Sequence, residues 1–171
     1  MKSSIFILLG ATALYACSNN ASHQEASHTD TSHAGHDHSA MEAPKDTTAI
    51  LPTQHVLFGN LKDSQTIKLP FIVKFGVEGM EVKPAMGVEA NVGHHHLMVD
   101  QGHIPAGTMV PMQKETEGYF HFGKGQLQDT LQLKKYPMLT PGYHTLTLQF
   151  ANGLHLSYGP AMSKTITVKV K

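Results

Sequence analysis

Thiol chemistry is almost absent from this sequence, which has a single cysteine, Cys17, among 171 residues. One cysteine cannot form an internal disulfide, and it cannot supply the set of thiolates that bind many structural zinc ions. The fold must therefore depend on its apolar core. Any bound transition metal must be held by ligands other than thiolates.

An excess of charge of either sign is also missing. The 13 Lys and Arg residues are balanced by 13 Asp and Glu residues, so the formal net charge is zero. Nucleic-acid binding depends on clustered Lys and Arg side chains, and the sequence has no basic stripe of that kind. We therefore expect no nucleic-acid partner.

The sequence has no apolar run long enough to span a bilayer, and its N-terminal run Ile5–Leu9 is much too short. With Lys2 before it and Leu14-Tyr15-Ala16-Cys17 after it, this run is typical of a bacterial lipoprotein signal peptide. We predict that residues 1–16 are removed and that lipidated Cys17 anchors the protein in a membrane of the cell envelope, facing the periplasm or the exterior. The alternative is an ordinary secreted protein.

Large apolar residues are scarce between residues 17 and 52, where Ser, Thr, Ala, Asp and His predominate. Such a composition cannot bury enough apolar surface to offset the entropy of ordering, so we predict a flexible, disordered tether. The tether carries five histidines that could bind Cu²⁺ or Zn²⁺ weakly, or could simply be polar spacers: His23, His28, His33, His36 and His38.

Residues 53–171 are predicted to form one all-β domain. Apolar residues alternate with polar residues, as in Leu146, Leu148 and Phe150, and no stretch has the apolar spacing of a long helix. Turn signals recur at roughly ten-residue spacing. We predict a single immunoglobulin-like antiparallel β-sandwich of about seven strands, at residues 55–58, 66–77, 94–100, 119–122, 126–133, 143–151 and 164–171.

Histidine is the abundant metal-binding residue, with 13 copies, and three are consecutive: His94-His95-His96. Side chains alternate across a strand, so His94 and His96 share one face while His95 joins Leu97 on the other. A His-x-His pair on one face can chelate an ion. His121, between two Phe residues, is the first candidate for a third ligand; the alternative is a group of solvated polar side chains.

Two further histidines are candidate ligands, His144 and His155. His144 and His95 lie on the same face of their strands as core residues. For both, the alternative to a metal ligand is a histidine at the edge of the core that is bonded to a backbone carbonyl. His155 follows the turn at Asn152-Gly153 and could reach the other histidines only if that loop folds back.

The expected ion is copper or, second, zinc. Imidazole suits both metals, and the thioethers of Met98, Met109 and Met112 would suit Cu(I), although methionine also fills gaps in cores.

The segment Gly93–Asp100 resembles a bacterial family of exported domains of unknown function, the family numbered 4399. Further similar segments are Pro70–Met80, His121–Gln126 and Pro141–Leu146. Members of that family often have a further histidine pair in the loop before the last strand, where this sequence has His155 and then Ser157–Pro160. The resemblance implies the domain, its export and the histidine motif, and it implies no reaction.

Three functions remain open from the sequence. The leading hypothesis is a membrane-anchored lipoprotein that binds copper or zinc through His94, His96 and His121. The second is a metal-dependent enzyme, which would need an acid or base such as Asp100, Glu78 or Glu89. The third is a metal-free structural or ligand-binding sandwich, with an envelope protein as a possible partner.

Overall fold

The computed structural model describes residues 49–112 and 114–171. The predicted signal peptide, Cys17 and the five tether histidines lie outside the described residues. Packed structure begins slightly before Thr53, because Ile50 already packs against the core. Among the described residues, no helix is long and apolar enough to cross a bilayer.

The prediction of an all-β sandwich is confirmed. In the described ranges the chain forms nine strands and two short 3-10 turns, Glu115–Glu117 and Pro160–Met162. The strands are β1 His55–Phe58, β2 Gln65–Ile67, β3 Phe71–Glu78, β4 Glu81–Val82, β5 Val92–Val99, β6 Tyr119–His121, β7 Gln128–Leu131, β8 Gly142–Ala151 and β9 Ser163–Val170.

The strands form two sheets. One has the order β1-β3-β7, and the other has the order β2-β9-β8-β5-β4, with β6 also pairing with β5. The core contains apolar residues from both sheets, including Val73 and Phe75 of β3, Leu97 of β5 and Leu148 of β8. Leu148 is one of the residues whose alternation with polar neighbours predicted a buried face, and burying such apolar residues supplies most of the driving force for folding.

Two details of the strand prediction are wrong. The single strand predicted at 66–77 is two strands, β2 and β3, that belong to different sheets. Pro70 lies between them, and its missing N–H is consistent with a break in pairing there. The ladders are also not all antiparallel, because β2 pairs with β9 and β4 pairs with β5 in parallel.

Strand β5 is buried on both faces. Its core face carries Leu97 and Val99, while the opposite face is covered by residues 101–110 and 152–158. The covering segments are hydrogen-bonded to the sheet and to each other: Ile104 N–H donates to Oε1 of Gln149, and Ser157 N–H donates to the Thr108 carbonyl. The histidines on this face are therefore enclosed between the sheet and the covering segments.

Candidate metal centre

The centre of the site is the outer face of β5, where His94 and His96 lie two residues apart. Both side chains are buried, with exposed fractions of 0% and 1%. Their Nε2 atoms are 3.0 Å apart. The alternative of solvated sheet-face histidines is excluded for this pair, because neither ring is in contact with solvent.

His121 enters the site from the neighbouring strand. The register of β5 and β6 places it directly opposite His96, with ring centroids 5.1 Å apart. Phe120 and Phe122 on either side of His121 are both buried in the core, so the alternation of the strand turns the His121 ring toward the outer face.

His155 reaches the site because the loop after β8 folds back. The backbone N–H of His155 donates to the Asn152 carbonyl, and Oδ1 of Asn152 accepts from the N–H groups of Leu154 and Leu156. His155 itself has a positive φ of 66°, a left-handed conformation that costs about 1–3 kcal/mol for a residue with a side chain. This tight turn brings Nε2 of His155 to 3.1 Å from Nε2 of His121.

Four imidazoles from three separate chain segments therefore converge. The ring of His94 is 5.1 Å from that of His121 and 4.9 Å from that of His155. Ligand atoms of His94, His121 and His155 all lie within 4.8 Å of one another, so this three-histidine group could hold a metal ion. His96 is the fourth neighbour.

Two of the nitrogen separations fit neighbouring ligands of one ion, and they equally fit a hydrogen bond between two neutral imidazoles. Metal–imidazole bonds of about 2.0–2.1 Å place two nitrogens on one ion about 2.8–3.4 Å apart for angles from a right angle to the tetrahedral angle. The two Nε2 pairs, at 3.0 and 3.1 Å, lie within this range.

The electrostatics of the group favour neutral imidazoles. Burial lowers the pKa of His94 to about 3, with the neighbouring His155 and His121 adding to the effect. Burial likewise holds the pKa of His96 well below its usual range. It also lowers the pKa of His121 and the pKa of His155. For His155, a hydrogen bond with the Leu154 backbone acts in the opposite direction and raises the pKa. Neutral imidazole is the form that binds metal ions.

Two buried ring nitrogens of the four-histidine group have no hydrogen-bond partner among the described residues. These are Nδ1 of His94 and of His96, whose Nε2 atoms face each other. An unpaired buried polar atom costs about 1–3 kcal/mol. Burying these two nitrogens without partners is therefore costly for a purely structural element.

His95 points to the opposite side of β5 and is not part of the group. Its ring packs in the core between Phe75 and Phe150, with centroids 5.7 and 5.0 Å away. Neither ring nitrogen has a hydrogen-bond partner in the described ranges, so the alternative of a backbone-bonded histidine does not describe it. Burial lowers the pKa of His95 to about 4.

His144 lies outside the group as well. Its Nδ1 is 2.8 Å from Oδ2 of Asp100, and its Nε2 is 2.8 Å from the Thr140 carbonyl oxygen. Both ring nitrogens thus have partners. This agrees with the alternative of a core-edge histidine bonded to a backbone carbonyl.

The three carboxylates considered as an acid or base have partners elsewhere. Asp100 pairs with His144, Glu78 lies 3.5 Å from His55, and Glu89 lies 2.7 Å from Lys83. In the part of the chain that the structure describes, the group that could hold an ion consists of histidines.

Fold and site together define a β-sandwich domain with a mostly buried histidine cluster on one sheet. Residues 73–171 match the family described as domain of unknown function DUF4399, and the chain belongs to that family. The match spans β5, β6 and the turn that carries His155, and so includes all four histidines. No curated protein and no solved structure matches the chain.

Proposed function

We propose that this protein binds one transition-metal ion through His94, His96, His121 and His155, with copper ahead of zinc. The observation that carries the proposal is the convergence of four imidazoles, two of them fully buried, with Nε2 pairs 3.0 and 3.1 Å apart. The order of the metals rests on chemistry, because sites made of nitrogen ligands bind Cu²⁺ more tightly than Zn²⁺.

The proposal is for binding rather than for a reaction. A metal-dependent hydrolase would need a carboxylate or another base close to the ion. Asp100, Glu78 and Glu89 instead pair with residues outside the histidine group. These pairs favour a role in holding a metal.

Thermal unfolding with and without Cu²⁺ or Zn²⁺ tests the proposal. An ion that binds only the folded state at one hundred times its Kd stabilises that state by about 2.7 kcal/mol, which raises the Tm by several degrees. Histidines that bind equally well in the folded and unfolded chain leave the Tm unchanged. The measurement on the whole chain therefore reports the folded site even if the tether also binds metal.

The double variant His121→Ala/His155→Ala should abolish the metal-induced rise. These two rings are partly exposed, so their removal disturbs the core less than removal of His94 or His96 would. The matched control is His103→Ala, which removes an exposed histidine outside the group. A wild-type chain whose Tm responds to none of the ions, or an unchanged response in the double variant, would refute the proposal.

We further propose that the domain is anchored to a bacterial envelope membrane by lipid on Cys17, facing the periplasm or the exterior. The support is the signal-like sequence of residues 1–16 and the cysteine that follows it. Incorporation of labelled palmitate in wild-type cells, and its loss in Cys17→Ser, is the expected result. Release of unlabelled wild-type protein into the soluble fraction would contradict it.

A further inference from the structure

Met86 and Met109 are the most exposed methionines among the described residues. Met86 is 80% exposed, Met109 57% and Met112 37%, whereas Met98 and Met162 are completely buried. Leaving a large apolar side chain in water forgoes about 1.5–3 kcal/mol of burial energy. Core packing therefore does not account for methionine at these two positions.

Met86 lies on a segment that contacts Gly153 and Gly123, each two residues away from a partly exposed histidine. Gly153, two residues before His155, approaches this segment so closely that a Cβ atom at position 153 would lie 2.6 Å from the Met86 carbonyl oxygen. At the other end, the N–H of Ala85 donates to the carbonyl of Gly123, two residues after His121. The backbone of Met86 is thereby held beside the turn of His155 and the end of β6.

Met109 is held beside the same turn by backbone pairing. It forms an isolated antiparallel bridge with Leu156, and the N–H of the next residue, Val110, donates to the carbonyl of His155 at 2.8 Å. Met86 and Met109, 23 positions apart in the sequence, therefore both flank the loop that carries His155.

Thioether sulfur is a soft ligand that prefers Cu(I), whereas imidazole also serves Cu²⁺ and Zn²⁺. Methionine is unbranched and has three rotatable side-chain bonds, so an exposed thioether can adjust to an ion. We propose that Met86 and Met109 form a Cu(I)-binding site at the solvent-exposed side of the histidine group. This inference rests on the proposed function, because it takes copper as the bound metal. It adds that the reduced ion, Cu(I), binds at the exposed side of the histidine group.

Nuclear magnetic resonance of the whole chain with ¹³C-labelled methionine methyl groups tests the site residue by residue. Cu(I) is diamagnetic, so the signals remain visible. We expect anaerobic addition of Cu(I) to shift the methyl signals of Met86 and Met109, assigned by Met86→Leu and Met109→Leu, and we expect Zn²⁺ to leave them in place. The control is Met138, which lines a separate cavity with Val99 and Asp100, and whose signal should not move.

Affinity provides the second measurement. In competition with a chromophoric Cu(I) chelator, Met86→Leu/Met109→Leu should bind Cu(I) at least tenfold more weakly, with Zn²⁺ affinity within twofold of wild type. Met138→Leu should match wild type in both. Unmoved Met86 and Met109 signals, or unchanged Cu(I) affinity in the double variant, would overturn the inference.

The two proposals fail in different ways. If only the methionine site is wrong, His121→Ala/His155→Ala still abolishes the Tm response to Cu²⁺ and Zn²⁺. If the histidine site is wrong, that response is absent from the wild-type chain itself, whatever the methionine signals do.

Discussion

The ring of His121 occupies the space that a side chain at position 123 would need. A Cβ atom built on Gly123 would lie 2.2 Å from Nε2 of His121, which is the atom that faces His155. Nonbonded carbon and nitrogen atoms cannot approach so closely. The His121 ring can therefore occupy this position only because residue 123 has no side chain.

The variant Gly123→Ala should lose metal affinity while keeping most of its stability. The added methyl group would push the His121 ring, the far end of a flexible side chain, out of the histidine group. Losing one ligand of four is expected to weaken binding at least tenfold, about 1.4 kcal/mol. Competition with a metal-binding dye measures the affinity, and urea unfolding of the metal-free chain measures the stability.

Gly102→Ala is the matched control for this substitution. A Cβ atom at position 102 would meet nothing within 4 Å, so affinity and stability should both stay at wild-type values. Wild-type metal affinity in Gly123→Ala would mean that His121 is not a ligand of the ion.

The part of the site that lies on regular strands was predictable from the sequence. Period-2 alternation is enough to place His94 and His96 on one face, and the flanking Phe residues turn His121 toward the outer face of the same sheet. The alternation of Leu146, Leu148 and Phe150 likewise predicted a buried strand. These predictions rest on local geometry that every strand shares.

The rest of the site depends on contacts that leave no periodic pattern. His155 joins the group through a left-handed turn held by Asn152, and residues 101–110 cover the histidines through scattered backbone hydrogen bonds. Neither feature is marked in the sequence by a hydrophobic repeat. The exposed Met86 was not predicted at all, because its position beside Gly153 depends on a close backbone approach between loops.

Replacing His95 with leucine should stabilise the domain or leave its stability unchanged. The His95 ring is fully buried, and neither nitrogen has a hydrogen-bond partner among the described residues. An apolar side chain of similar volume removes that penalty, which is about 1–3 kcal/mol. Urea unfolding of the metal-free chain measures the change.

Metal affinity should be unaffected in His95→Leu, because the ring packs against Phe75 and Phe150 on the core face of β5. A large loss of affinity would show that the core side of β5 also determines the geometry of the site. His94→Leu, on the other face, serves as the comparison and should bind metal more weakly.

The metal-free domain should lose stability in mild acid. Burial lowers the pKa of His94 from 6.5 to about 3 and that of His95 from 6.5 to about 4. Between the lowered and the ordinary values, the unfolded state binds more protons than the folded state, so stability falls as the pH falls through this window. Each such histidine contributes up to about 1.4 kcal/mol per pH unit.

Urea unfolding in the presence of a chelator, at about pH 7 and about pH 5, measures this dependence. His95→Leu has one fewer histidine of lowered pKa, so its stability should fall less steeply with acid than that of wild type. Equal stability at the two pH values in the wild-type chain would contradict the prediction.

Removing the His144 side chain should cost stability and leave metal binding intact. Its two ring nitrogens bond with Asp100 and with the Thr140 carbonyl, and Asp100 also accepts the N–H of Thr145 through its other oxygen. Loss of the two histidine bonds in His144→Ala is expected to lower the free energy of unfolding by about 1–2 kcal/mol. The metal-induced rise in Tm should equal that of wild type, whereas His155→Ala should reduce it. A comparable reduction in both variants would mean that His144 leaves Asp100 and becomes a ligand when the ion binds.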